Sequence, residues 1–297
     1  MTALYGAGPI KRDRATRAEM ARRRGALFII IEANRPTGVR FTYYTAAAQG
    51  LVPKTQNGYR KVQREVLAMR RNHSIPWDWV VDSTRWMRKP QTWDSVEEAI
   101  TATAASYRRA LWSRSAKAVE VWVESESVAG VLYPITEKWD VPLYPIKGQT
   151  SDTFVHEAAM MYRDDPRELR IFYFGDHDPA GYEIESNLHR KLVEFSGRDD
   201  IQFHRIACTA DDVRRLGLRG GRPKKQSYVD AMTGARLVWQ GDVVEIEAIP
   251  PPTLRYWLDQ LIEDEMDPLQ LEVLLVAEAS ERQALEVLAG HRDAEEG

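Results

Sequence analysis

An apolar run that ends in a glycine and two aspartates constrains the fold of this chain more than any other stretch. Residues 171–174 are Ile-Phe-Tyr-Phe, and Gly175, Asp176, His177 and Asp178 follow them. A continuous apolar run of this length predicts a strand buried on both faces, as in a parallel sheet. Because open α/β sheets bind ligands at the carboxyl ends of their strands, both aspartates are expected at a binding edge.

The spacing of the two aspartates predicts a cation site. Asp176 and Asp178 are two residues apart, so their side chains point the same way along an extended backbone. Two carboxylates held that close repel each other unless a cation lies between them, and ligand sets made only of oxygen suit Mg²⁺, with Mn²⁺ as an alternative. The competing interpretation is that Asp-x-Asp-Pro forms a turn capped by an aspartate side chain.

A second apolar run ends in an acid in the same way. Residues 119–123 are Val-Glu-Val-Trp-Val, and Glu124 follows them directly. Between the two runs lie a helix-like segment from Val128, a short apolar stretch at 141–146 and a predicted helix at 152–162. This order predicts an α/β fold in which β-α-β-α-β units bring carboxylates to one edge of a parallel sheet.

A strand-end glutamate followed by a strand-end Asp-x-Asp resembles the Toprim domain of topoisomerases, primases and related nucleases. The nearest resemblance is to the topoisomerase VI A subunit and the meiotic double-strand-break transesterase, which have a V-E-K-x-x-V-like strand end and a D-x-D-P-x-G loop. This chain has Val-Glu124-Ser-Glu-Ser-Val and Asp176-His-Asp178-Pro-Ala-Gly, so Ser125 replaces the lysine. The resemblance implies that Glu124, Asp176 and Asp178 hold Mg²⁺ beside a scissile phosphate, with Glu126 as a rival ligand.

The same resemblance implies a tyrosine nucleophile on a winged-helix-like domain, in a motif of the form R-x-x-(Y/F)-Y. The matching residues here are Arg40, Tyr43 and Tyr44, on a helix predicted over residues 38–49. Arg40 and Tyr44 are neighbours on that helix, so the guanidinium can favour a phenolate whose ordinary pKa is about 10. Tyr44 is the expected nucleophile and Tyr43 the alternative. A tyrosine pair on a helix is otherwise typical of core packing.

Charge divides the chain into unlike parts. Residues 1–115 carry 21 Lys and Arg against 9 Asp and Glu, whereas residues 116–297 carry 20 against 35. A basic module beside an acidic one fits a protein that grips phosphates with one part and gathers cations in the other. Together with this division, the resemblance implies a winged-helix-like domain over 1–115, a Toprim domain over 116–215, and a basic loop, a hairpin and C-terminal helices over 216–297.

The basic loop is a further candidate for DNA contact. It spans residues 214–225 and has six basic residues among three glycines and a proline. After it, residues 237–239 and 243–248 are predicted to pair as a hairpin around Gln240-Gly-Asp242, and helices begin near Pro250 and Pro268. A solvated loop is the other interpretation of such a run. The predicted DNA-binding residues are Arg219, Arg222, Lys224 and Lys225.

The resemblance implies a magnesium-dependent enzyme that breaks duplex DNA by tyrosine transesterification. The resemblance implies a homodimer in which Tyr44 of one chain meets the metal site of the other. No Gly-rich ATP site is present in the sequence, so ATP-driven strand passage would need a separate ATPase subunit. No membrane span is predicted, and a cytoplasmic, DNA-associated protein is expected. The alternatives are a Toprim nuclease that uses water, as in phage or plasmid defence, and a DNA-binding accessory protein that does not cleave.

Overall fold

The computed structural model of the protein describes residues 16–81 and 90–293. The sequence also predicts a long helix over residues 11–32 with a basic start at residues 11–14, and a strand-like stretch over 80–86. The basic start and residues 82–86 lie outside the described ranges. Within the described ranges, no helix is both long enough and apolar enough to cross a membrane.

Three helices form the N-terminal part: α1 (Arg17–Asn34), α2 (Val39–Ala48) and α3 (Gln56–Arg71). Side chains satisfy the free N–H groups at two of the helix starts. Thr16 and Glu19 form a capping box on α1, and the Thr55 hydroxyl accepts a hydrogen bond from the Gly58 N–H at α3. Apolar residues of all three helices pack into one core, which includes Leu27, Tyr43, Val62 and Met69.

A parallel sheet of four strands follows, with helices before, between and after its strands. The elements in chain order are α4 (Val96–Ser106), β1 (Lys117–Val123), α5 (Glu126–Lys138), β2 (Leu143–Pro145), α6 (Asp152–Tyr162), β3 (Glu168–Phe174), α7 (Pro179–Ser196), β4 (Gln202–Ala207) and α8 (Ala210–Arg215). The strands lie in the order β2-β1-β3-β4, so the predicted α/β fold class is confirmed at that level.

The two central strands are buried on both faces, as their apolar runs predicted. Along β1, Val119, Val121 and Val123 face one core with α5 and the C-terminal helices, and Trp122 faces a second core with α6 and α7. Strands β1 and β3 pair in register from Lys117 with Glu168 to Val123 with Phe174. The residues that follow them, Glu124 and Gly175, therefore emerge side by side at the carboxyl edge.

The predicted hairpin around residues 240–242 is wrong. Strand β6 (Arg236–Val238) pairs antiparallel with β5 (Ser227–Val229), which lies earlier in the chain. The turn between them forms because Asp230 Oδ1 accepts a hydrogen bond from the Met232 N–H at 2.8 Å and Gly234 takes a positive φ of 72°. Residues 243–247 instead run along the carboxyl edge of the sheet and pass into a 3₁₀ turn over Ile246–Ala248.

Helix α2 also contributes to the core that the sheet shares with the C-terminal helices α9 (Pro251–Glu265) and α10 (Pro268–Asp293). Phe41 of α2 is buried in the same cluster as Val121, Ile246 and Leu254. The Arg255 guanidinium of α9 donates to the Pro36 carbonyl oxygen at 3.1 Å, just before α2. The basic and acidic parts of the sequence are thus packed together in one chain.

Candidate functional site

The carboxyl ends of β1 and β3 bring Glu124 and the Asp-x-Asp loop together. Glu124 Oε2 accepts a hydrogen bond from the Asp176 N–H at 3.0 Å. Gly181 allows this close approach, because a Cβ there would lie 2.4 Å from the Asp176 carbonyl oxygen and 3.2 Å from Glu124 Oε2. A larger residue at position 181 would therefore collide with the Asp176 backbone.

Each aspartate of the loop uses one carboxylate oxygen to accept a backbone N–H. Asp176 Oδ1 accepts from Ile246 at 2.8 Å, and Asp178 Oδ1 accepts from Gly181 at 2.6 Å. The second bond makes Asp178 the N-cap of α7. The capped-turn interpretation of Asp-x-Asp-Pro is thus correct for Asp178. The cap bond uses Oδ1, so Oδ2 is still available to bind a cation.

Burial and mutual repulsion disfavour negative charge on this cluster. The pKa of Asp176 is raised well above its usual range, first by burial and then by Glu124 and Glu247. Burial also raises the pKa of Glu124, and the charge of Asp178 adds to the shift. Arg205 is the nearby cation, but it forms an ion pair with Glu185 and donates to the backbone oxygen of Asp176. A bound cation would relieve the repulsion among the acids.

The donor chemistry of the cluster fits Mg²⁺, since Glu124, Asp176 and Asp178 offer only oxygen and each uses one named oxygen for a backbone bond. Across the described parts of the chain, no three or more His, Cys, Asp or Glu side chains lie in an arrangement that could hold a metal ion. The rival ligand Glu126 is the first residue of α5 and forms an ion pair with Lys147 at 2.7 Å.

A fourth acid, Glu247, was missed by the sequence interpretation. Its side chain is 1% exposed, and its Oε1 accepts hydrogen bonds from Ser125 Oγ at 2.8 Å and Ser127 Oγ at 2.7 Å. Arg40 Nε lies 3.3 Å from the same oxygen. The available signal is the alternation of Glu245-Ile-Glu247, which by itself predicts a hairpin strand. Ser125, which stands where the motif has a lysine, is thus one of the two serine partners of this acid.

Arg40 and Tyr44 lie on one side of α2, close to residues 245–247. Burial opposes charge on Arg40, but Glu247 and Tyr44 outweigh it and raise its pKa. The pKa of the Tyr44 phenol is raised by burial first and then by the adjacent Glu245 carboxylate. Tyr43 differs, because its ring is buried in the helical core and its hydroxyl donates to the Thr55 carbonyl oxygen at 3.2 Å.

The segment Glu245-Ile246-Glu247 therefore connects the two predicted half-sites. Glu245 lies beside Tyr44, and the Ile246 N–H donates to Asp176. Glu247 contacts Arg40 and also accepts a hydrogen bond from Ser125, the residue after Glu124. Backbone pairing holds this segment in place, since the Val244 and His177 N–H groups each donate to the other's carbonyl oxygen. The arrangement brings a phenol, a guanidinium and a carboxylate cluster to one edge of the sheet.

The basic loop is anchored at the same edge. The Gly221 and Val243 backbones exchange two hydrogen bonds, of 2.9 and 2.8 Å, one residue before the pairing with His177. Of the predicted DNA-binding side chains, Lys225 forms an ion pair with Glu183 at 3.1 Å. All four of them are exposed: Arg219, Arg222, Lys224 and Lys225.

Comparison with protein-family models and with curated proteins finds no match to this chain.

Proposed function

We propose that this protein is a magnesium-dependent enzyme that cleaves duplex DNA by transesterification, with Tyr44 as the nucleophile. The observation that supports the proposal best is the segment 245–247, which contacts both Tyr44 with Arg40 and the acids at the sheet edge. A nucleophile, a guanidinium for phosphate charge and oxygen ligands for a metal are the groups that phosphoryl transfer requires.

Each residue has a distinct role in this proposal. Glu124, Asp176 and Asp178 would hold Mg²⁺, which when bound supplies charge that neutralises the phosphate being attacked. Arg40 stabilises charge on the phosphoryl oxygens, and Glu247 keeps its guanidinium turned toward the sheet edge through the 3.3 Å contact. Exposed cations of the basic loop hold the DNA backbone without reading its sequence.

The resemblance to the topoisomerase VI A subunit extends this proposal to the fold. A parallel sheet with acids at its carboxyl edge supports a Toprim interpretation of residues 116–215, and three packed helices support a winged-helix interpretation of the N-terminal part. On this interpretation the protein works on DNA in the cytoplasm as a homodimer, and any ATP-driven strand passage requires a separate ATPase subunit.

Within a dimer, we propose that Tyr44 acts beside the acids of its own chain. The resemblance implies the opposite, that Tyr44 of one chain meets the metal site of the other. Burial of Phe41 among core residues of the sheet ties α2 to its own chain. Mixing Tyr44→Phe with Asp176→Asn chains tests this: we expect no recovered cleavage, whereas recovery in demonstrated heterodimers would establish attack across the dimer.

A second candidate is a Toprim nuclease in which metal-activated water attacks the phosphate. The raised pKa of the Tyr44 phenol favours it, because an un-ionised phenol is a poor nucleophile. In that case Tyr44 is structural and the ends of the cut DNA stay free. A DNA-binding accessory protein, the third class, would not cut at all.

Incubation with supercoiled plasmid and Mg²⁺ or Mn²⁺, analysed with and without protease, distinguishes these classes. We expect protein-linked DNA ends that become visible only after proteolysis, and no cleavage in excess EDTA. Tyr44→Phe removes one oxygen and little volume, so it should fold and lose both cleavage and adducts. Tyr43→Phe is the matched control and should keep both. Free ends, together with an active Tyr44→Phe variant, would establish the water-using nuclease instead.

A further inference from the structure

A cavity of about 440 Å³ opens beside Tyr44 between α2, the start of α3 and the segment before the 3₁₀ turn. Two cations, Arg40 and Lys54, and one acid, Glu245, line it together with the phenol of Tyr44. The chemistry of the lining therefore combines groups that attract a phosphate with one that repels it. An acid in a phosphate-binding cavity needs an explanation, because like charge there weakens binding.

Glu245 is held in that cavity by its neighbours in the chain. Ile246 is fully buried and its N–H binds Asp176, which fixes the backbone next to Glu245. Among the described residues, Glu245 Oε2 is buried and accepts no hydrogen bond, although Lys54 Nζ lies 3.9 Å away. This buried oxygen thus keeps a lone pair available, and the same carboxylate lies beside the Tyr44 phenol.

The charged and titratable groups that line the cavity with Glu245 come from three elements. Helix α2 contributes Arg40, Tyr43 and Tyr44, the loop before α3 contributes Lys54, and α3 contributes Tyr59. Of these, only Tyr44 combines a half-buried hydroxyl with contact to both Arg40 and Glu245. Tyr43 points its hydroxyl at the Thr55 carbonyl oxygen instead.

We propose that Glu245 accepts the phenolic proton of Tyr44 during the transesterification step. The inference rests on the proposed function and adds one catalytic residue to it. The Tyr44 oxygen forms a bond to phosphorus, and the bond from phosphorus to the 3′ oxygen breaks with its electron pair left on that oxygen. The phenolic proton passes to the Glu245 carboxylate, which releases it to solvent, and the 3′ oxygen takes a proton from water.

Physical chemistry explains why a carboxylate serves here. Burial and the charge of Glu245 raise the pKa of the phenol, so little phenolate exists at neutral pH. The phenol becomes strongly acidic only as its oxygen bonds to phosphorus, and a carboxylate already in place takes the proton at that point. Glu247 is instead committed to other partners, because its Oε1 accepts hydrogen bonds from Ser125 and Ser127 and pairs with Arg40.

The first test is the rate at which Glu245→Gln forms covalent adducts on plasmid with Mg²⁺. We expect a rate about 10² to 10⁴ times lower than wild type, the usual contribution of a general base. Between pH 7 and 9 the variant should gain about tenfold per pH unit, because the phenol must lose its proton before attack, while wild type stays flat. A purely electrostatic role predicts the reverse, since loss of the negative charge lowers the pKa of the phenol and speeds attack.

Two further variants complete the test. Glu194→Gln is the matched control, because Glu194 is an exposed residue of α7 that pairs with Arg190, and it should leave the rate unchanged. Glu245→Ala should recover activity when formate is added, since a small carboxylate fits the vacated space; this readout does not depend on how well Glu245→Gln folds. An inactive Tyr44→Phe beside a fully active, pH-insensitive Glu245→Gln overturns this inference alone. An active Tyr44→Phe overturns the proposed function and this inference with it.

Discussion

Strand β1 contains one glutamate and is followed directly by another, and the two differ in how they are partnered. Glu120, in the strand, is 6% exposed and receives three side-chain hydrogen bonds: from Tyr162 Oη at 2.5 Å, Trp122 Nε1 at 3.0 Å and Tyr144 Oη at 3.4 Å. Glu124, at the strand end, receives one backbone N–H and lies among other acids. Neutral hydrogen-bond donors thus surround Glu120 within the strand, whereas other acids surround Glu124 just after it.

The difference separates a structural acid from a candidate ligand. Donors saturate a buried carboxylate when its task is to hold a core together, because an unpaired polar group there costs free energy. Lone pairs left open among other carboxylates store repulsion that only a cation or a proton relieves. On this argument, the number of hydrogen bonds that a buried carboxylate accepts indicates better than its burial whether the acid is structural or functional.

The most decisive test of the distinction between structural acid and candidate ligand is to neutralise one acid of each kind. Asp176→Asn should lower the rate of plasmid cleavage at least about 10³-fold, because loss of a metal ligand removes the charge that stabilises the transition state. Glu120→Gln should stay within a few-fold of wild type. Equal losses in both variants, with native thermal melts, would mean that the partnering of the acids does not predict their roles.

A smaller effect is expected where Glu247 joins the two half-sites. Arg40→Ala should slow adduct formation about 10² to 10³-fold, since it removes charge stabilisation but leaves the attacking atom. Glu247→Gln keeps an oxygen for the two serines and weakens only the 3.3 Å contact with Arg40, so it should cost less. If the Arg40→Ala and Glu247→Gln losses add fully in the double variant, Glu247 does not act through Arg40.

The structural acid gives a prediction of stability instead of rate. Burial raises the pKa of Glu120 to about 7, against about 4.3 for a glutamate in an unfolded chain. The folded state therefore keeps a proton that the unfolded state releases, and stability should fall by about 3 kcal/mol as pH rises from about 4 to 8. Glu120→Gln should flatten that slope in urea unfolding at several pH values. An unchanged slope would show that the three donors already hold Glu120 ionised at neutral pH.

The sheet and its acids were predictable because their signals are local. Two apolar runs, each followed by an acid, predicted β1 and β3 and placed Glu124 and Asp176 at one edge, and the helix predicted over 152–162 is α6 without a shift of either end. Glu245 and Glu247 were not predictable as site residues. Their position depends on backbone pairing of Val244 with His177, 67 residues apart in sequence, which no local pattern encodes.

The hairpin was mispredicted for a related reason. Val243-Val-Glu-Ile-Glu alternates as a strand does, and Gln240-Gly-Asp242 has turn composition, so pairing with residues 237–239 satisfied every local rule. The competing turn at Asp230 to Gly234 satisfies the same rules, and β6 pairs with β5 there. Residues 243 and 244 are then free to pair with Gly221 and His177. Tertiary pairing decided between two locally acceptable hairpins.

The smallest expected effect concerns DNA affinity at the two ends of the sheet. Arg222 and Lys224 are exposed on the basic loop, which is anchored at the edge that holds Glu124. Arg114 and Arg163 are equally exposed but precede β1 and β3, at the opposite edge. Each double Ala variant removes two charges, so the pairs are matched in net charge.

If DNA crosses the carboxyl edge, the loss of Arg222 and Lys224 should lower affinity for every sequence alike and reduce the slope of log affinity against log salt by about two. The loss of Arg114 and Arg163 should leave that slope unchanged in the same titration between about 50 and 200 mM salt. Equal slopes for the two variants would mean that the charge of the whole molecule holds the DNA. That result would contradict DNA binding at the carboxyl edge.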